Sequence, residues 1–215
     1  MRNVILGMAA VATSFMLAAA APSAQQAAPG DWPHFNRDSG STRYVPLDQI
    51  NATNVARLQP AWTFTTVVEP PPGAGPGPAG RAGGAGRGRG GPSGVGAQVV
   101  PVVVEGVMYV PAGNVVVALN AATGKEVWRY TVTTGAASNR GVNYWPGTRG
   151  VGPRIVFTTR GQSSNSLVAL DADTGKPSAG FGQNGITDLG SVGWSGVPVV
   201  FRNVLALGAS TLETP

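Results

Sequence analysis

A phrase of eight residues occurs twice in this chain and restricts its possible folds more than any other feature. Residues 118–130 read ALNAATGKEVWRY, and 51 residues later residues 169–181 read ALDADTGKPSAGF. In each copy an apolar run leads into a turn where Asn or Asp can bond its own backbone and Gly takes the left-handed conformation. A repeated tight turn predicts a repeated supersecondary unit, which buries its faces only against its neighbours.

Four short apolar runs form the first of these units. They lie at residues 99–104, 107–112, 115–120 and 126–132. Glu105-Gly106 separates the first two runs as a two-residue hairpin turn, with Gly placed for positive φ. The unit therefore predicts a meander of four antiparallel strands.

The same pattern then restarts twice. Strand-like residues 154–159 and 166–171 precede the second turn, and residues 196–209 align without a gap with residues 99–112. Arg202-Asn203 replaces the first hairpin turn in that alignment. Four-stranded units at this spacing are typical of β-propeller blades, so we expect an all-β propeller segment of about two blades and the start of a third. A β-sandwich with two similar hairpins is the alternative.

The composition excludes several kinds of site. The chain has 215 residues with 32 Gly, 18 Pro and only 12% charged residues, which favours turns and short strands over long helices. It contains no cysteine, so disulfides, zinc fingers and thiol nucleophiles are excluded. His34 is the single histidine, which excludes a metal centre built from several histidines.

The first 24 residues have the pattern of an export signal. Arg2 supplies a positive charge, an apolar stretch runs from Val4 to Ala20, and cleavage after Ala20 or Ala24 fits the small-residue rule. A membrane anchor is the alternative, although the stretch is short and rich in alanine. We expect the mature protein in the periplasm or cell envelope.

Residues 69–97 form an insertion rich in Gly, Pro and Arg. Because they offer almost no apolar side chains to bury, we predict a disordered loop between an opening segment (residues 25–68) and the blades (residues 98–215). Without Arg2 and the three arginines of the insertion, 11 basic residues nearly balance 10 acidic ones. A Gly-Arg tract that binds RNA is the alternative, but this local charge leads us to expect no nucleic-acid partner.

Four stretches resemble the pyrroloquinoline quinone (PQQ) dependent alcohol and sugar dehydrogenases. They are residues 31–64, similar to the family's opening, residues 118–130, similar to its tryptophan docking motif, residues 139–147 (NRGVNYWPG), similar to its cofactor segment, and residues 169–189, similar to the second blade of its glucose-dehydrogenase-like branch. The resemblance implies a propeller that has eight blades in full-length relatives. It also implies that Trp128 wedges between adjacent blades, while Ala179 occupies the docking position of the second copy and makes that wedge imperfect.

The resemblance implies a chemistry as well. Family members oxidise an alcohol or sugar hydroxyl by hydride transfer to PQQ beside a Ca²⁺ ion, and electrons leave to a cytochrome c or a membrane quinone. Such a site needs cations for the cofactor carboxylates and hard oxygen ligands for calcium. The catalytic residues would lie beyond residue 215, so we expect an N-terminal part of a dehydrogenase that is inactive alone.

Five residues match cofactor and metal positions of the family. Arg140 would contact PQQ, and Glu213 would ligate calcium from a GASTLE loop that departs from the family's Gly-x-Ser-Gly-Ala-Glu. The cofactor would also contact Ser195, Ser210 and Gln98. The alternatives are a solvated arginine, a surface acid and ordinary capped strand ends.

One departure bears on the branch of the family. Many alcohol-oxidising members carry two adjacent cysteines shortly before the segment that begins here at Asn139, and this chain has none, which favours the glucose-dehydrogenase-like branch. The alternative function is a non-catalytic PQQ-like repeat propeller that serves as a protein-binding scaffold in the cell envelope. Arg140 and Glu213 discriminate between the two, since a scaffold needs neither a cofactor arginine nor a calcium carboxylate.

Overall fold

The computed structural model of the chain describes residues 28–65, 99–133, 135–161, 164–192 and 196–209. The predicted export signal and the predicted Gly-rich insertion lie outside these residues. Within the described ranges the single helix is a 3₁₀ turn, Val55–Arg57. No described helix is long and apolar enough to cross a membrane.

Eleven strands in the described residues form three antiparallel sheets. The first sheet runs in chain order through β1 (Val102–Val104), β2 (Val107–Ala112), β3 (Val115–Asn120) and β4 (Glu126–Thr131). The second contains β5 (Ala136–Ala137), β6 (Asn143–Trp145), β7 (Arg154–Arg160), β8 (Asn165–Asp171) and β9 (Ile186–Gly190), with β5 and β6 both paired to β7. The third is the hairpin of β10 (Val199–Phe201) and β11 (Val204–Ala206). The predicted four-strand meander and the restarted pattern are confirmed.

Proline sets where the inner strands begin. The apolar run predicted from residue 99 enters the ladder only at Val102, and the aligned run enters it at Val199. In both cases the preceding residue is a proline, Pro101 or Pro198, which has no N–H to donate to a ladder. The hairpin turn that follows β1 has positive φ at Glu105 (49°) and Gly106 (77°), as its sequence predicts.

The repeated turns are built from the same hydrogen bonds. In the first copy the Asn120 side chain accepts hydrogen bonds from the N–H and hydroxyl of Thr123, at 3.0 and 2.9 Å. In the second copy Asp171 accepts the same pair from Thr174, at 2.9 and 2.7 Å. The glycine that follows each threonine has φ of 69°. The repeated letters therefore encode one local structure.

The sheets pack face to face in chain order, as propeller blades do. One apolar cluster lies between the first and second sheets and includes Tyr109, Trp128, Ile155, Phe157 and Leu170. A second cluster covers the other face of the first sheet with Trp62 and Phe64, and a third joins the second sheet to Leu205 and Leu207 near the hairpin. With both faces covered, β3 is buried from Val115 to Leu119, which explains its unbroken apolar run.

Each of the two repeated turns is covered by a tryptophan from an earlier part of the chain. The Trp128 indole N–H donates to the carbonyl of Ala172 (2.8 Å). Its ring packs so closely on Gly175 that a Cβ at that position would lie only 2.5 Å from the nearest ring atom. The wedge predicted for Trp128 is thus confirmed. No sequence pattern predicts a role for Trp62, yet its indole donates to the Ala121 carbonyl (3.0 Å) and covers Gly124 of the first turn in the same way.

At Ala179, where the resemblance implies an imperfect wedge, the structure forms none. Ala179 is exposed and lies in a turn before β9, which begins only at Ile186. Its carbonyl accepts a hydrogen bond from Arg154 (3.1 Å). Pro177 and Ser178 continue the pairing with β8 for two residues, and a loop then interrupts the strand that follows directly in the first copy. The alignment of the two copies therefore ends at the turn.

Replacing Trp128 with Phe tests the docking contact. The Ala172 carbonyl accepts from the Trp128 indole at 2.8 Å and from the Tyr109 hydroxyl at 3.4 Å. Because the change removes the shorter bond and leaves unfilled volume between two sheets, we expect the free energy of unfolding to fall by about 1–3 kcal/mol. Urea denaturation measures it. Val127→Ala, at a neighbouring side chain that is 54% exposed, is the control and should stay within about 0.5 kcal/mol of the parent. Equal losses for both variants would contradict a docking role.

Burial raises the pKa of Tyr109 far above its ordinary value, mainly because the phenol is desolvated between the sheets. A phenol whose pKa is higher in the folded than in the unfolded chain stabilises the fold below the unfolded pKa of about 10, and that stability is lost as the pH rises further. We expect Tyr109→Phe to flatten the decline in stability above pH 10, measured by urea denaturation across that range. Tyr44→Phe, at an exposed phenol, is the control.

Candidate functional site

The segments that lead into β1, β6 and β10 lie side by side, one from each of the three sheets, and we call them the entry segments. Val100, before β1, forms a parallel bridge with Gly141, before β6, and its N–H donates to the Arg140 carbonyl at 3.4 Å. Val197, before β10, lies 3.5 Å from where a Cβ on Gly141 would be. Stacking of the sheets thus brings together three chain segments far apart in sequence.

These entry segments include the positions that the family resemblance predicts for cofactor binding. Arg140 is described, whereas Gln98, Ser195, Ser210 and Glu213 lie outside the described residues. The chain neighbours of Gln98 and Ser195 are the entry segments that meet at Gly141. The roles of these four residues stay predictions.

Gly141 determines how closely the first two sheets approach here. Its φ is 138°, in the region that favours glycine, and a Cβ would lie 2.9 Å from the Val100 carbonyl oxygen. A larger residue would therefore strain the backbone and push the two entry segments apart. Arg140 immediately precedes this point, so its backbone position depends on the close contact.

Arg140 lines a cleft. Its residue is exposed, and its guanidinium has no ion pair or hydrogen bond among the described residues. The cleft has a volume of about 390 Å³, within the usual range of small-molecule sites. Its walls are Arg140 and Asn143, residues 196–201, and a segment near the start of the described chain (His34, Phe35, Asn36, Asp38, Ser39 and Ser41).

That segment, residues 31–41, crosses the inner edges of the sheets, and we call it the amino-terminal strap. Trp32 and Val103 of β1 exchange both backbone hydrogen bonds, at 2.7 and 3.0 Å. One residue further on, the Pro33 carbonyl accepts from the N–H of Tyr144 in β6 at 3.1 Å. The strap therefore pairs with two successive inner strands before it forms a wall of the cleft.

The far end of the strap holds a fixed negative charge. Asp38 accepts hydrogen bonds from the hydroxyl and the N–H of Thr42 and pairs with Arg37 at 3.0 Å. The bonds from Thr42 are the main reason why the pKa of Asp38 is lowered. Asp38 therefore stays ionised at neutral pH, and the cleft carries this carboxylate as well as the Arg140 cation.

Two further polar side chains, those of Asn143 and His34, line the cleft, and no sequence pattern predicts a role for either in the site. The amide of Asn143 is buried and faces Nδ1 of His34 at 2.6 Å. The sequence feature that could have identified Asn143 is its polar side chain between Val142 and Tyr144 in an otherwise apolar strand. No group of three or more His, Cys, Asp or Glu gathers anywhere in the ranges that the structure describes, and Glu213, the predicted calcium ligand, is outside them.

Comparison with known proteins gives one consistent match. The model of the glucose/ethanol/alcohol dehydrogenase β-propeller domain family (PQQ) matches residues 32–211. The chain is 33% identical over 194 residues to a quinohemoprotein alcohol dehydrogenase of Comamonas testosteroni, covering 85% of this chain and 22% of that protein. It is 31% identical over 197 residues to quinoprotein glucose dehydrogenase A of Acinetobacter calcoaceticus, covering 78% and 22%.

Solved structures match as well. The crystal structure of the Comamonas testosteroni quinohemoprotein alcohol dehydrogenase aligns with a TM-score of 0.57 at 30% identity, over 86% of this chain and 24% of that one. The quinohemoprotein alcohol dehydrogenase ADHIIG of Pseudomonas putida HK5 aligns with a TM-score of 0.60 at 25% identity, over 85% and 23%. The chain thus spans about a quarter or less of the length of these relatives.

Substituting Gly141 with Ala tests the close contact at the strand entries. We expect the free energy of unfolding to fall by about 1–3 kcal/mol, because the new methyl group meets the Val100 carbonyl in a backbone conformation that suits glycine. Gly152→Ala is the matched control, since a Cβ there meets nothing within 4 Å and its φ is not positive. If thermal or urea unfolding shows the two variants equally stable, the contact does not constrain this site.

Proposed function

Because this chain belongs to the glucose/ethanol/alcohol dehydrogenase β-propeller family (PQQ), we propose that it forms the Arg140 side of a cofactor site. The whole activity would be oxidation of an alcohol or sugar hydroxyl, and the cofactor would be PQQ. The observation that carries the proposal is that Arg140 lines a cleft while its guanidinium has no partner among the described residues.

The residues on this side of the cleft suit such a cofactor. PQQ carries three carboxylates and two quinone oxygens, and a planar guanidinium binds oxygens of this kind through paired N–H donors. When bound, PQQ supplies the hydride acceptor of the oxidation. Arg140 would neutralise and orient one edge of the cofactor, and the close contact at Gly141 would hold the Arg140 backbone in place.

Calcium is the finer part of the proposal. Ca²⁺ takes six to eight oxygen ligands, and Glu213 supplies a carboxylate in the loop that resembles the family's calcium loop. Ser210 belongs to the same loop, and Gln98 and Ser195 would add polar contacts to PQQ. These four assignments rest on the resemblance, and titration with and without Ca²⁺ tests the metal.

The branch, the location and the electron acceptor are also part of the proposal. The absence of cysteine supports a glucose-dehydrogenase-like substrate, although the relatives include alcohol and glucose dehydrogenases. The export pattern of residues 1–24 supports a periplasmic or envelope location. The electrons would then pass to a cytochrome c or a membrane quinone.

A titration with PQQ tests the cofactor assignment. We expect saturable binding by the chain, stronger with Ca²⁺, and an Arg140→Ala variant whose Kd is about 10- to 100-fold higher, because charge-assisted hydrogen bonds of roughly 1.5–3 kcal/mol are lost. Calorimetry gives the Kd, and the NMR signal of the Arg140 Nε–H reports weak binding. Arg149→Ala is the control, since that exposed arginine lies in the turn between β6 and β7.

Two outcomes would contradict the assignment. If Arg140→Ala binds PQQ as tightly as the parent, Arg140 has no cofactor role. If the parent binds no PQQ with or without Ca²⁺, the non-catalytic scaffold becomes the better explanation of the propeller.

A further inference from the structure

Asn143 is a buried polar residue whose amide joins three parts of the chain. It is 3% exposed, and its Nδ2 donates to the carbonyl of Pro198 at 2.6 Å. Its Oδ1 accepts from the N–H of Tyr144 at 3.1 Å and lies 2.6 Å from Nδ1 of His34. The bond to His34 spans 109 positions of the sequence and the bond to Pro198 spans 55.

The hydrogen bonds of Asn143 fix the protonation of His34. Donation to the Pro198 carbonyl identifies the amide nitrogen, so the atom that faces His34 is an oxygen, which can only accept. Nδ1 of His34 must therefore carry a proton. A neutral His34 is consequently held as the Nδ1–H tautomer.

The joined parts are the three walls of the cleft. His34 belongs to the amino-terminal strap, Asn143 begins β6 three residues after Arg140, and Pro198 leads into β10. Each of these residues lines the cleft together with Arg140. The Asn143 amide thus sets the distance from the strap to the third sheet across the segment that carries Arg140.

The Asn143 amide satisfies its neighbours at little net gain in stability. A buried polar group gains little net free energy from its hydrogen bonds, and losing one partner leaves the other unsatisfied at a cost of about 1–3 kcal/mol. An apolar side chain of similar size would fill the same space but would leave the Pro198 carbonyl and the Nδ1–H of His34 without this partner. A fully satisfied polar network is instead suited to fixing one arrangement of its surroundings.

We propose that Asn143 and His34 are positioning residues, which hold the amino-terminal strap and the entry to β10 at a fixed spacing around Arg140. The inference rests on the proposed function for its consequence, because the cleft that they shape is the one assigned to the cofactor. Neither residue needs to touch the cofactor for this role.

The single histidine makes the network directly observable. With no other histidine in the chain, the imidazole ¹⁵N signals belong to His34 without ambiguity. At a pH where the ring is neutral, we expect the Nδ1–H tautomer in the parent and its loss in Asn143→Leu. Asn143→Asp should keep that tautomer, because it retains the acceptor toward His34, although it loses the donor to Pro198.

The consequence for the site is measured on the same proteins. In both Asn143→Leu and His34→Phe we expect the Arg140 Nε–H signal to shift and the Kd for PQQ to rise about tenfold, as is usual when residues that orient a ligand-binding group are removed. His34 is only half-buried, so His34→Phe tests the idea even if Asn143→Leu does not fold. Asn165→Leu is the control, because it loses one amide bond, to the Val192 carbonyl, away from the cleft.

The outcomes separate this inference from the proposed function. An Arg140 signal that stays unchanged in His34→Phe, or a parent His34 in the Nε2–H tautomer, would overturn the positioning role whatever PQQ does. A parent that binds no PQQ would overturn the cofactor assignment, while the shift of the Arg140 signal would still support the positioning role. Equal effects of Asn165→Leu on that signal would count against it.

Discussion

The hydrogen bond from a tryptophan indole to the turn of the next sheet is the interaction on which the layers depend. Trp128 donates to Ala172, and Trp62 donates to Ala121 one layer earlier. Each ring also covers a turn glycine at a distance that admits no side chain. A sheet with two apolar faces could slide on its neighbour, since the hydrophobic effect is not directional. The indole bond has one acceptor and therefore fixes the register of the stack.

The cleft follows from this stacking. Once the sheets are in register, the entries to their inner strands converge at Gly141, and the strap can bond to β1 through Trp32 and to β6 through Pro33. Arg140 is then exposed beside a wall made of residues far away in sequence. Docking at one end of the blades and the cleft at the other are therefore consequences of a single arrangement.

The sequence was sufficient to predict the local structure of each repeated unit, but not the position of the strand at the outer edge of the second sheet. The Glu105-Gly106 hairpin turn and the two repeated turns that begin at Asn120 and Asp171 are determined by their own residues, so they could be predicted from local sequence. The position of Ala179 was not, because similarity between the copies ends where the second sheet admits a loop before β9. Short strands such as β5 bear no recognisable period and form only because β7 offers an edge.

The sequence by itself determined the repeated turns, the apolar runs of the central strands and Arg140 as a candidate, since each is encoded within a few adjacent residues. Only the tertiary structure decided that Trp62 repeats the role of Trp128 and that His34, Asn143 and Pro198 meet. Those contacts join groups 55 to 109 positions apart. Their geometry arises when two faces pack, and no local pattern of residue types records which distant partner a buried amide or indole will find.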